Sequence, residues 1–226
     1  MKSYILKNKK LPVISRISLI ILWILLAKTI DNEIIVPKIN TTFVSMLEII
    51  KDSDFLNIVT YTILRSLLGF LISLFLAISL GVLSSVSKIV ASLMEPVLKL
   101  LNSTPTIAII LLALIWLNNE FVPMFVGFLM VFPILFESVL NSILNIDKNI
   151  IQMASLYKVS KIGVVKNIYL PNILHNLISI FNSALGINLK MVIGGEVLSQ
   201  PQYAIGSSLQ LERMYLNTPG VFAWII

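Results

Sequence analysis

Long apolar runs separated by short polar stretches dominate the chain. Residues 11–30, 61–86, 97–117, 121–145 and 172–197 are almost continuously apolar. Each reaches the roughly 20 residues that a helix needs to cross about 30 Å of hydrocarbon. A sixth run, 221–226, is too short to cross, so the pattern predicts a fragment that stops inside a sixth span. The polar stretch 31–57 contains Phe43, Met46, Leu47 and Ile50 on one helical face, the signature of an interfacial helix. The expected fold class is all-α: a multi-pass transmembrane helical bundle of about six spans, the last truncated. Residues 1–59 read as an N-terminal anchor helix plus an external interfacial segment, and 60–226 as the transmembrane core.

Composition supports lipid as the solvent: 57% of the 226 residues are hydrophobic and only 12% charged. A soluble domain carries about a quarter charged residues. The chain has no cysteine and one histidine, which excludes Cys-containing metal sites, thiolate nucleophiles and multi-histidine zinc motifs. The net charge of +6 is scattered between the apolar runs rather than gathered with aromatics on one face, so nucleic acid is not an expected partner. Topology accounts for it better. Lys2, Lys7, Lys9, Lys10 and Arg16 precede the first span, and Lys148, Lys158, Lys161 and Lys166 follow the fourth. Acidic residues such as Asp52, Asp54, Glu120, Glu196 and Glu212 fall in the opposite connections, where Arg65 is also assigned. This positive-inside pattern predicts a cell-membrane protein with a cytoplasmic N-terminus. No small-x-small cleavage site follows the first run, so it is read as a retained anchor.

Within the spans, Gly69, Ser73, Ala77, Gly81 and Ser85 place a small residue at every fourth position. Such a stripe lets another helix approach closely, as a static contact or as a sliding surface. Pro105, in the Leu101-Asn-Ser-Thr-Pro-Thr106 stretch, and Pro133 each remove a backbone donor and free a carbonyl, which lipid does not tolerate unless protein or a wet cavity satisfies it. Glu137 and Lys190 are the mid-sequence charges of their spans. At 1.5 Å per residue they sit roughly 24 Å from the outer start and 27 Å from the inner start of their helices, near opposite faces, which argues against a mutual pair. Either charge equally reads as a side chain reaching its nearer interface; if a pathway runs between the third, fourth and fifth spans, Ser103, Thr104, Thr106, Glu137, Asn182, Ser183, Asn188 and Lys190 are the polar residues available to line it. His175 has no triad partner at a suitable spacing, and G-x-S-x-G is absent, so an intramembrane enzyme ranks last.

The segment 147–167 is too polar to cross and too apolar for a solvated loop: Ile150, Ile151, Ala154, Leu156, Tyr157 and Val159 alternate with lysines. It reads as two short amphipathic helices at the cytoplasmic surface, resting on anionic lipid or docked in the groove of a partner.

At these residues the chain resembles the permease subunit of binding-protein-dependent ABC importers, whose cytoplasmic loop carries E-A-A-x3-G-x9-I-x-L-P. Gln152, Met153, Ala154, Lys158, Ile168, Leu170 and Pro171 fall on that pattern in register, and Ala154, Ile168, Leu170 and Pro171 match it. Lys158 replaces a glycine that permits a turn at positive φ, a conformation lysine adopts only at a cost. Thr62-Ile-Leu-Arg-Ser-Leu-Leu-Gly-Phe70 and the stretch 191–224 are similar to the nitrate, sulfonate, taurine and bicarbonate branch. The resemblance implies a permease core at 60–226 with a coupling loop at 147–171, cytoplasmic ABC ATPase subunits gripping that loop, an external solute-binding protein, and a second permease copy. It implies import of a small anion such as a sulfonate, taurine or nitrate. There is no G-x-x-x-x-G-K-[ST] phosphate loop, so the chain is expected to bind no cofactor, to be no enzyme, and to draw on ATP hydrolysed by the partner. The alternative is a self-sufficient secondary transporter or channel, whose signature would be inverted repeats and buried coupling carboxylates.

Overall fold

The computed structural model describes residues 10–226; Lys2, Lys7 and Lys9, used in the charge argument, lie outside the described residues. The described residues form helices α1 (Lys10–Ile30), α2 (Ile39–Lys51), α3 (Phe55–Val86), α4 (Lys88–Ser103), α5 (Thr106–Trp116), α6 (Val122–Leu144), α7 (Lys148–Leu156), α8 (Lys161–Val164), α9 (Leu170–Ser199), α10 (Ile205–Met214) and α11 (Thr218–Ile225), with a π-turn at Val165–Tyr169 between α8 and α9. Among the described residues four stretches are long and apolar enough to span: Leu11–Ile30, Phe55–Val86, Val122–Leu144 and Ile162–Ser199.

The third expected span is not a straight helix. α4 and α5 meet at a bend of 105°, so the run 97–117 is a broken element. The cause is local. Thr104, which precedes Pro105, takes an extended conformation (φ −80°, ψ 129°), because the proline ring excludes the helical region for its predecessor. Its hydroxyl donates to the Leu100 carbonyl at 2.7 Å, as does that of Ser103 at 3.3 Å. Counting apolar residues does not register such a bend: of the expected runs, four are continuous spans and one a broken pair among the described residues, and the short final run lies in the eight-residue helix α11.

The helices fall into two compact units. The first comprises the described residues 10–56 together with Ser208–Ile226. In it Trp23 donates from Nε1 to the Pro37 carbonyl at 3.0 Å and packs against Phe222, ring centroids 5.6 Å apart. Phe55 lies 6.0 Å from Trp224, and Thr218 donates to the Ile34 carbonyl at 2.6 Å. The C-terminal residues thus pack with the N-terminal segment.

The second unit, Asn57–Ser207, is built around α6. Val131, Phe132, Leu135, Phe136 and Val139 of α6 are buried against Phe70 and Ala77 of α3, Leu98 of α4, and Ile173, Leu177 and Ala184 of α9. Ile109, Ile110 and Ala113 of α5 close a second cluster with Val122 and Val126. The small-residue stripe of α3 faces α6 closely. A Cβ on Gly69 would lie 2.7 Å from the Met124 carbonyl oxygen, and one on Gly81 would lie 2.8 Å from a Val139 methyl. Ser73 donates to the Phe128 carbonyl at 3.3 Å. In lipid, where apolar burial drives little association, this close backbone approach supplies the packing.

Candidate functional site

The coupling segment is built from a capped helix and a strained turn. Asp147 accepts from the Asn149 N–H at 2.8 Å and starts α7. At the other end the Val159 N–H donates to the Ala154 carbonyl at 2.9 Å and the Lys158 N–H to that of Ser155 at 3.0 Å. This is the Schellman pairing, and it places Lys158 in the left-handed region at φ 52°. The glycine pattern that Lys158 interrupts therefore marks a real left-handed position. Lys158→Gly is expected to stabilise the protein by about 0.5–1 kcal/mol: it removes a left-handed penalty of roughly 1–2 kcal/mol, partly offset by the extra unfolded-state entropy of glycine. Denaturant titration of the purified variant measures this; unchanged or lower stability would contradict the strained turn.

Only Ala154 of the α7 motif is buried; Gln152, Met153 and Lys158 are exposed. Leu156 and Tyr157 are 82% and 79% exposed, on a helix that belongs to no span. The second amphipathic helix expected here is not separate. α8 has four residues and runs through the π-turn into α9, giving a continuous stretch Ile162–Ser199. The widened turn lies directly before Pro171, whose ring would otherwise press on the carbonyl four residues back. Ile168 is half-buried, whereas Leu170 and Pro171 are exposed. Ile168 and Pro171 line, with Asp147, Ile150, Asn172 and His175, a cavity of about 440 Å³ between α7 and the start of α9. Asn172 ties this corner to α6 by donating to the Ser142 carbonyl.

The pathway candidates do not converge on one site. The hydroxyls of Ser103 and Thr104 are used within α4, and Thr106 donates to the Met130 sulfur at 3.5 Å. Glu137 is exposed, accepts from Asn102 at 3.4 Å, and lines a cavity of about 360 Å³ between α4 and α6 with Glu95 and Lys99. Asn182, Ser183 and Lys190 are exposed. Asn188 is fully buried in helix packing: its amide donates to the Ser66 carbonyl at 2.7 Å and hydroxyl at 2.8 Å, with Gly127 against its Oδ1 side.

Arg65, Glu120 and Glu196, which the charge count assigns together to external connections, form one cluster in which Arg65 and Glu196 are buried and Glu120 is half-exposed. Arg65 Nη1 donates to Glu196 Oε1 at 3.1 Å and to the Tyr203 carbonyl at 2.7 Å, while Nη2 bonds Glu120. Glu196 also accepts from Thr62 at 2.9 Å and from the Gly206 N–H at 3.1 Å. The Thr62 oxygen in turn accepts from the Ile205 N–H at 3.0 Å. Tyr61 stacks on Tyr203, centroids 5.7 Å apart, with the guanidinium over the Tyr61 ring at 5.8 Å. Partial burial opposes ionisation of Glu120, but the Gln202 N–H at 3.0 Å and the hydrogen bond and charge of Arg65 outweigh it and hold this carboxyl below its usual range. A signal existed in the sequence. Thr62, Arg65 and Gly69 recur at helical spacing on the face of the small-residue stripe, so a stripe that packs must bury the arginine.

Comparison with known proteins agrees with this architecture. Residues 69–226 match the family described as binding-protein-dependent transport system inner membrane component. The putative aliphatic sulfonates transport permease protein SsuC of Bacillus subtilis is 23% identical over 194 residues, 85% of this chain and 70% of that protein. A probable ABC transporter permease protein of Brucella melitensis is 24% identical over 163 residues, covering 72% of this chain and 66% of its own length. A putative ABC transporter permease protein of Methanocaldococcus jannaschii is 23% identical over 193 residues, covering 83% and 72%. The chain therefore belongs to the inner membrane components of binding-protein-dependent transport systems, the permease subunits of ABC importers.

Proposed function

We propose that this permease imports a small anion such as a sulfonate, taurine or nitrate, and that α7 is the handle through which a cytoplasmic ABC ATPase drives it. The observation that carries this reading is a short capped helix outside the candidate spans whose Met153 and Leu156, with Tyr157 at its C-cap, are covered by no other part of the chain. Exposed apolar side chains on an extramembrane helix favour a protein groove. The sulfonate relative supports the solute class. In this reading an external solute-binding protein delivers the anion, a second copy of the chain completes the pathway, the N-terminus is cytoplasmic, and ATP is hydrolysed by the partner while this chain performs no chemistry.

Ala154→Arg tests the handle. Ala154 is 4% exposed and supplies the carbonyl of the capping turn, so a long cation there overpacks the site where α7 rests. Solute-stimulated ATPase activity of the reconstituted transporter should fall at least tenfold, with unchanged detergent-solubilised yield. Uptake that proceeds in liposomes holding this chain alone, without ATPase or ATP, would favour a self-sufficient transporter instead. Competition among taurine, alkanesulfonates and nitrate for uptake would establish the solute.

A further inference from the structure

Two carboxylates share the Arg65 guanidinium under opposite conditions. Glu196 is fully buried on α9, and both its oxygens are filled by Thr62, Gly206 and Arg65. Glu120 lies between α5 and α6, its side chain is 45% exposed, and its second oxygen takes the Gln202 N–H. Opening the first contact would strand a charge in a medium that cannot solvate it. Opening the second leaves the half-exposed Glu120 to water, while the buried Arg65 keeps Glu196 as its counter-charge, so it costs less than opening the first. α5 itself follows the 105° break at Thr104–Pro105, so the α5–α6 connection has a bend upstream of it and this ion pair at its far end.

We propose that Arg65 is a positioning residue for transport: with Glu196 it forms a fixed post that holds the turn 200–206, and with Glu120 a releasable arm that sets whether the α5–α6 connection rests on that turn. The transport cycle is supplied by the permease reading, on which this inference rests. The cluster spans α3, α9 and the α5–α6 connection, so release of Glu120 changes the relation of α5 to α3 and α9 while leaving the post intact.

The test uses the full chain, which contains no cysteine. Ala204, 1% exposed in the turn, is replaced by cysteine as a reporter, alone and with Glu120→Gln. Glutamine preserves the shape of the arm and its bond to the Gln202 N–H but removes the charge facing Arg65. Labelling of the reporter by a water-soluble maleimide should be two- to fivefold faster with Glu120→Gln, at an unchanged thermal midpoint. In the transporter assembled with its ATPase and binding protein, the same substitution should raise the solute-independent ATPase rate two- to fivefold and lower the stimulation ratio. A purely structural role would instead lower the midpoint and leave that ratio alone. Equal labelling rates with and without Glu120→Gln would overturn the proposal. Failure of the unmodified chain to stimulate an ATPase would count against the permease reading, while the labelling result would still decide the arm.

Discussion

Arg65→Ala is expected to destabilise the folded permease by about 3–5 kcal/mol, the cost of leaving a buried charge without its partner. Arg65 is 7% exposed and Glu196 0%. Without the guanidinium, the Glu196 carboxylate keeps Thr62 and the Gly206 N–H but no cation. The Tyr203 carbonyl loses its donor in the same step. Lysine should recover only part of the loss, because one ammonium cannot reach Glu196, Glu120 and the Tyr203 carbonyl in the way a planar fork does. The double substitution Arg65→Met, Glu196→Met should be milder than Arg65→Ala alone, since an apolar pair of similar volume strands no charge. Chemical denaturation of the detergent-purified variants compares the three. Equal stability of Arg65→Ala and the parent would mean that the charge is not buried as described.

Gly206→Ala is expected to cost about 1–3 kcal/mol by overpacking. A Cβ there would lie 2.5 Å from the Glu196 Cβ, 2.5 Å from the Ile193 carbonyl oxygen and 2.6 Å from the Val197 nitrogen. Two of these atoms are backbone of α9, which cannot yield as a flexible side chain does. The start of α10 must therefore lift, and the Gly206 N–H that completes the Glu196 shell moves with it. Gly186→Ala is the control: it lies in α9, and nothing stands within 4 Å of its Cβ position. The two variants should separate clearly in the same denaturation assay; equal midpoints would contradict the close approach.

Two of the spans were legible almost to the residue from hydropathy, whereas 61–86 and 172–197 begin well inside the helical stretches Phe55–Val86 and Ile162–Ser199 because polar helix ends do not register as apolar. The run 121–145 corresponds to α6 (Val122–Leu144), and 11–30 to α1 (Lys10–Ile30). The left-handed turn was legible too, since a lysine at a glycine position of a spaced pattern points to an unusual φ. The bend in 97–117 was signalled by Pro105 but not its size, which depends on how α4 and α5 each pack on α6. The charge count places Arg65, Glu120 and Glu196 on one side of the membrane but does not show that they pair, because Arg65 and Glu196 meet across 131 residues of chain. The polarity of Asn188 is visible in sequence, but its hydrogen bonds to Ser66 are not, because the two residues are 122 positions apart.

The handle is tested most directly by a single cysteine at Leu156 in the naturally cysteine-free chain, probed in sealed vesicles of either orientation. A membrane-impermeant maleimide should label it only in inside-out vesicles, and a bound ABC ATPase subunit should protect it. Labelling from the external face, or labelling that the ATPase leaves unchanged, would contradict a cytoplasmic handle held by a motor.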